Sequence, residues 1–239
     1  NASPSKIIPV EDTNNKLILN LENNFENEQN PFELIFSNSK ANVVIPSKSL
    51  YSFSSLPNKI TIDFLSENSF SLDFGVDPYC VTGINIIFPY ENSGDIAKLS
   101  VSVTEPSGDV RPVSGFKYDK TLKILIIPCY VNGTYTIKYT DKIMEDLEDP
   151  WSYDDIVYLT QKGIISGTSP NTFEPRKNIK RADAFLLIMR AVNACGKQGE
   201  DFSDTKDNYY SYMLRIAKEM GLAKGTDQTA ILFDKTFSF

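Results

Sequence analysis

The stretch that decides the fold reads Gly163-Ile164-Ile165-Ser166-Gly167, then Phe173-Glu174-Pro175, then Ile179-Lys180-Arg181-Ala182-Asp183. Glycines at 163 and 167 suit the end of one helix and a tight turn, because glycine enters left-handed backbone without a Cβ clash. Pro175 forces an extended approach to the next element. After it, Ala182, Phe185, Leu186, Met189 and Val192 form one apolar stripe at helical spacing.

Working outward, Tyr153, Ile156, Val157 and Thr160 make a weaker helical stripe before the turn, and Tyr210, Met213, Leu214, Ala217 and Met220 make another beyond it. An internal repeat links them. The offset from Trp151 to Tyr209, 209 − 151 = 58 residues, also carries Ile156 onto Leu214, Gly163 onto Gly221, Ile164 onto Leu222 and Gly167 onto Gly225. A period of this length denotes a supersecondary unit that stacks on its neighbours to bury its apolar face.

Before residue 141 the pattern is different. Leu17–Leu21, Asn42–Ile45, Ile60–Leu65, Ser69–Phe74, Gly83–Phe88, Lys98–Thr104, Lys123–Ile127 and Thr134–Tyr139 are short and rich in β-branched and aromatic residues. Several alternate, as in Ile60-Thr61-Ile62-Asp63-Phe64. Turn signals such as Pro106-Ser107-Gly108-Asp109 and Asn132-Gly133 separate them. This predicts an antiparallel β-sandwich, with the polar, acidic 23–30 segment as a loop. The whole is an α+β multidomain chain, with boundaries at 1–141, 142–198 and 199–239.

Composition narrows the function. The 239 residues carry a net charge of −7 and no Lys/Arg cluster, so the chain lacks the basic face a nucleic-acid partner requires. There is no histidine, which excludes Ser-His-Asp and Cys-His catalysis and His-containing zinc sites. Cys80, Cys129 and Cys195 lack CxxC spacing. Cys80 and Cys129 are either a pair or two buried thiols. The acidic 145–155 run lacks EF-hand spacing, so no metal is expected. No apolar run reaches membrane-span length. The opening Asn1-Ala2-Ser3-Pro4 resembles a tag-cleavage scar, so the lack of a signal peptide says nothing of destination.

The helical part resembles the S-layer homology family over about residues 145–239. The first copy reads Leu147-Glu148-Asp149-Pro150-Trp151, Ile156, Leu159, the 163–167 turn, the 173–175 step and Ile179-Lys180-Arg181-Ala182-Asp183. The second starts at Phe202-Ser203-Asp204, carries Tyr209 and Gly221-Leu222-Ala223-Lys224-Gly225, and reaches Phe239 before a second Arg-Ala-Glu equivalent. Where the family has a Thr that caps the helix and a Glu that closes a capping box, this chain has Lys180 and Asp183. Either Asn178 caps instead or the helix start is weaker.

The resemblance implies anchoring rather than catalysis, without a cofactor. The partner would be a secondary cell-wall polysaccharide, often one with a pyruvyl ketal, on the secreted, wall-facing or S-layer surface of a Gram-positive-type bacterium. Arg181 at a helix N-terminus suits the ketal carboxylate. Trp151, or its counterpart Tyr209, either stacks on a sugar or packs between repeats. Asp149 either accepts sugar hydroxyls or caps a helix. Gly167 and Gly225 either admit close ligand approach or only shape turns. The incomplete repeat implies exposed Ile216, Met220 and Leu222, or self-association through them. Two other readings place the function in the β half: lattice contacts, or carbohydrate binding or cleavage. That half loosely resembles sandwich modules that precede such anchors, on Phe88-Pro89-Tyr90 and a late Gly-Thr-Tyr; the His-dependent autoproteolysis of some relatives does not carry over to a chain without histidine.

Overall fold

The structure is a computed structural model that describes residues 5–7, 10–13, 15–21, 33–37, 40–50, 59–76, 84–91, 96–139, 144–147, 150–192, 194, 200, 202–203 and 208–224. The chain divides into two compact units, Asn1–Thr140 and Asp141–Phe239. Two of the three cysteines, Cys80 and Cys195, and the 23–30 loop lie outside the described residues.

Unit 1 is β-rich. Its strands are β1 (Ser5–Ile7), β2 (Glu11–Thr13), β3 (Lys16–Asn20), β4 (Glu33–Ser37), β5 (Asn42–Pro46), β6 (Lys59–Ser66), β7 (Ser69–Asp73), β8 (Ile84–Pro89), β9 (Leu99–Thr104), β10 (Val110–Pro112), β11 (Lys117–Asp119), β12 (Ile124–Cys129) and β13 (Gly133–Tyr139). One sheet runs β1-β4-β5-β8-β12-β11 and the other β10-β9-β13-β7-β6-β3-β2. Pairing is antiparallel except for β1 on β4, which is parallel from Ser5↔Glu33 to Ile7↔Ile35. The single helical turn α1 (Ser47–Leu50) follows β5.

Alternation drives this layout. In β6, Ile60, Ile62 and Phe64 are buried while Thr61 and Asp63 are half-exposed, as the two-residue period of a strand requires. Inward residues of both sheets, among them Phe36, Ile86, Leu125, Phe70, Val101 and Tyr135, form one core, which makes the unit a sandwich. Each eight-strand expectation has a matching strand. The sequence reading missed β1, β2, β10 and β11, which have three residues each, and β4, whose buried Leu34 and Phe36 do alternate.

Two turns fix registers. Gly108 at φ 93 turns β9 into β10, with Glu105 N–H donating to Asp109 O at 2.9 Å. Gly133 lets β13 approach the Thr104 carbonyl of β9 where a Cβ has no room. Tyr135 is fully buried, stacks on Phe70 (5.1 Å, 4°) and donates its hydroxyl to Val131 O at 3.0 Å while accepting from Tyr130 N (3.2 Å) and Val131 N (3.3 Å). Cys129 is a buried free thiol, not half of a disulfide, and burial pushes its pKa far above the usual thiol range.

Unit 2 holds α2 (Pro150–Gln161), α3 (Arg181–Ala191) and α4 (Ser211–Glu219). Pro150 takes the first helical position, where its missing N–H costs nothing. Ala182, Met189, Phe202, Tyr210, Leu214, Ile216, Ala217 and Ala223 share a core. The stripe predicted for α3 holds at Ala182, Leu186 and Met189, but Val192, at the C-cap, is 66% exposed. Ile216 is likewise corrected: it is fully buried, whereas Met220 and Leu222 are exposed. Among the described residues no helix is long and apolar enough to cross a membrane.

Candidate functional site

The glycine turns end two helices in the same way. After α2, Gly163 at φ 68 donates to Thr160 O (3.0 Å), and the Ile164 and Ile165 N–H groups both reach Leu159 O (3.0 and 3.4 Å). After α4, Gly221 at φ 70 donates to Lys218 O (3.0 Å), and Leu222 and Ala223 both reach Ala217 O (2.8 and 3.2 Å). Donors and acceptors correspond one for one at the 58-residue offset. Both are left-handed glycine caps that satisfy the last helical carbonyls.

The same offset places the Phe-Ser-Asp start of the second copy, Phe202 to Asp204, on Met144-Glu145-Asp146. Met144 and Phe202 are both buried. This corrects the reading that put the start at Leu147-Glu148-Asp149. Asp146 accepts the Phe173 N–H (2.9 and 3.1 Å) and the Glu174 N–H (2.6 Å), and those bonds hold its carboxyl below the usual carboxylate range. Glu174 sits at φ 58, left-handed backbone that a non-glycine residue rarely adopts. The Asp146 clamp thus holds the Phe173-Glu174-Pro175 step in a strained turn. Glu174 in turn pairs with Lys177 at 2.7 Å.

Gly167 opens this loop. Ser169 N–H donates to Thr172 O at 3.2 Å, and a Cβ on Gly167 would stand 2.7 Å from Ser169 O and closer still to Thr172 O. The close approach that Gly167 permits is that of its own loop.

α3 begins at Arg181, which is exposed. Its N-cap is Lys180 rather than Asn178, with no side-chain capping bond, so the weaker helix start is the one present. Asp183 lies in the first turn, where a carboxylate favours the helix dipole, and it accepts the hydroxyl of Tyr209. Tyr209 remains 65% exposed and meets Tyr210 edge-on at 4.9 Å.

Two turns along, Arg190 is half-buried and its Nη1 lies 3.4 Å from Ser166 Oγ, beside Gly167. Burial lowers the Arg190 pKa, while the Asp183 carboxylate and Tyr209 oppose that shift. One face of α3 therefore gathers Ser166, Asp183, Arg190 and Tyr209. Sequence reasoning missed Asp183 and Arg190 as site residues; their spacing of seven, which repeats on one helix face, was the available signal.

Of the six expected residues, Arg181, Gly167 and Tyr209 are described. Tyr209 is tied to Asp183 in the first turn of α3, the helix that Arg181 begins. Trp151 is on α2, with its side chain outside the described part, and Asp149 and Gly225 lie outside the described residues. An exposed guanidinium at the start of α3 and an exposed phenol ring tied to its first turn are groups that suit a ligand with an anionic group and an apolar face.

Residues 148–185 match the family model of the S-layer homology domain. The chain is 31% identical over 80 residues to the S-layer protein sap of Bacillus anthracis, covering 33% of this chain and 10% of that protein. It is 31% identical over 94 residues to a cellulosome-anchoring protein of Acetivibrio thermocellus (34% and 21%). It is 26% identical over 149 residues to an amylopullulanase of Thermoanaerobacterium thermosulfurigenes (62% and 8%). The last match covers more residues than unit 2 contains, so it extends into unit 1. The chain thus spans about a fifth or less of the length of each of these relatives. Residues 148–185 are an S-layer homology domain.

Proposed function

We propose that unit 2 is a non-catalytic anchor that holds its parent protein on the bacterial cell surface by binding a carboxylated, pyruvylated secondary cell-wall polysaccharide. The relatives named S-layer and cellulosome-anchoring proteins support the anchoring role. The observation that carries the ligand reading is the tie from the Tyr209 hydroxyl to Asp183, in the first turn of α3. It ties an exposed aromatic ring to the first turn of the helix that the exposed Arg181 begins, a helix start without a side-chain cap. Arg181 offers a planar bidentate donor to the ketal carboxylate, and the helix N-terminus adds its partial positive charge. Tyr209 and Trp151 offer ring faces to the sugar. In this reading Asp149 accepts sugar hydroxyls, and Gly167 and Gly225 complete the set of ligand-binding residues. Residues 142–198 form the first repeat and 199–239 the start of a second.

Binding to purified cell-wall sacculi, with and without chemical removal of the ketal, tests this. Arg181→Ala is expected to weaken binding by about one to two powers of ten, the worth of one charge-assisted hydrogen bond. Arg181→Lys is expected to rescue only part of it, since the planar fork is lost. Binding left unchanged both by Arg181→Ala and by removal of the ketal from the walls would overturn the reading. A second reading, self-association of unit 2, is favoured by the exposure of Met220 (51%) and Leu222 (58%). Sedimentation of the chain against Met220→Ser/Leu222→Ser tests it; a monomer at all concentrations would refute it.

A further inference from the structure

Unit 1 has an opening of its own, distinct from the site in unit 2. At one end of the sandwich, the Phe64–Asn68 segment of β6 and its turn faces the Phe88–Glu91 segment that ends β8, across a cleft of about 830 Å³. That volume is in the range of small-ligand pockets. We infer that this cleft is a second, independent carbohydrate-binding site, for a neutral glycan.

The floor is aromatic. Phe64 from one sheet and Phe88 from the other stack at 6.4 Å and 13°, and Phe88 continues onto Tyr90 at 6.4 Å and 29°. Phe64 and Phe88 are buried and back the cleft, and the half-buried Tyr90 is the ring it presents to a ligand. Tyr118 meets Tyr90 edge-on at 6.2 Å and fixes its plane. An aromatic ring held in this way suits the C–H face of a pyranose, which is apolar while its edge is ringed by hydroxyls.

The rim matches those hydroxyls, which both donate and accept. Asn15 and Asn68 supply amides, Glu67 and Glu91 carboxylates, and Lys40 an ammonium 6.0 Å from the Phe64 ring centroid. With Lys123 paired to Glu91, the two carboxylates are balanced by two ammonium groups, so the cleft carries no net charge to draw an ionic ligand, which separates it from the Arg181 site. Glu91 is also held ionised by Lys123 at 2.7 Å, the opposite of the raised pKa of a general acid. The cleft therefore fits binding rather than glycoside cleavage. An extended peptide would bind by adding to a sheet edge, but β6 and β8 are interior strands. The Phe64 N–H is taken by Asn15 O (2.8 Å) and the Tyr90 N–H by Lys123 O (2.9 Å).

The test is affinity electrophoresis of the 239-residue chain in native gels containing soluble starch, xylan or mannan. Retardation is expected in at least one gel, unchanged in Arg181→Ala. Tyr90→Ala is expected to weaken it about tenfold, the effect of one lost ring face, and Tyr90→Phe to keep it. Asn68→Ala changes only an exposed turn side chain, so its weaker retardation would report the rim and not unfolding. No retardation in any gel, retardation lost in Arg181→Ala, or full retardation in both Tyr90→Ala and Asn68→Ala would overturn the inference. None of these outcomes bears on wall binding by unit 2, which is read separately with sacculi.

Discussion

Substituting Gly167 by alanine tests how the loop of the anchoring unit is built. The new Cβ would lie 2.7 Å from Ser169 O and nearer to Thr172 O. Carbon–oxygen contacts settle at about 3.3–3.6 Å, so two backbone carbonyls must move by the better part of an ångström. They cannot rotate away as side-chain ends do, because Thr172 O accepts the Ser169 N–H and the next residues are clamped on Asp146. Overpacking of this kind costs about 1–3 kcal/mol. For a unit of 60–100 residues, about 2 kcal/mol lowers Tm by roughly 8–16 °C. The assay is intrinsic fluorescence: the single tryptophan, Trp151, is on α2 and reports on unit 2 alone. Gly221→Ala is the comparison. A Cβ there meets nothing within 4 Å, and only φ 70 opposes it, at about 1 kcal/mol. A Gly167→Ala melting point equal to wild type, or above that of Gly221→Ala, would refute the steric account.

Tyr135→Phe is expected to destabilise unit 1 by about 1–3 kcal/mol in urea unfolding followed by circular dichroism, since it strands the Val131 carbonyl and two N–H groups while keeping the Phe70 stack. The two units are expected to respond to alkali with opposite sign. Burial lowers the Lys162 pKa to about 8, below its unfolded value of 10.5, so the unfolded state holds the extra proton between those values and unit 2 gains stability as pH rises through the window. Lys162→Met is expected to flatten that slope and to stabilise unit 2 by about 1 kcal/mol at pH 7, with water around the ammonium tip taken into account. In unit 1 the Cys129 and Tyr135 pKa values are raised above their ordinary 9.0 and 10.0; unfolding releases protons there, and stability falls above about pH 9. Cys129→Val is expected to delay that fall, as measured by urea midpoints from pH 7 to 10.

The sandwich was legible where strands are long enough to alternate. Ile60-Thr61-Ile62-Asp63-Phe64 announces its inner face, whereas Val110–Pro112 has three residues and no period to read. The parallel β1–β4 pair left no trace either, because parallel and antiparallel partners bury the same residues. In unit 2 the glycines of the caps and the α3 stripe were readable. The clamp was not: the acidic run from Glu145 to Asp155 offers several carboxylates, and only folding shows that Asp146 meets the Phe173 and Glu174 N–H groups. Arg190 escaped notice for a similar reason. Its partner Ser166 is 24 residues away, and no local pattern encodes that meeting.

The place of β13 in its sheet has a mechanical consequence. The chain leaves unit 1 from β13, so any tension carried from unit 2 enters the sandwich along that strand. β13 is not an edge. It pairs with β9 from Thr134↔Thr104 to Tyr139↔Leu99 and with β7 from Gly133↔Leu72 to Thr136↔Ser69. A strand pulled lengthwise between two neighbours must shear both ladders together, whereas a strand at the rim peels one bond at a time. Under the anchoring proposed for unit 2, a pull on the chain is thereby spread over the interior of the sheet rather than concentrated at a rim.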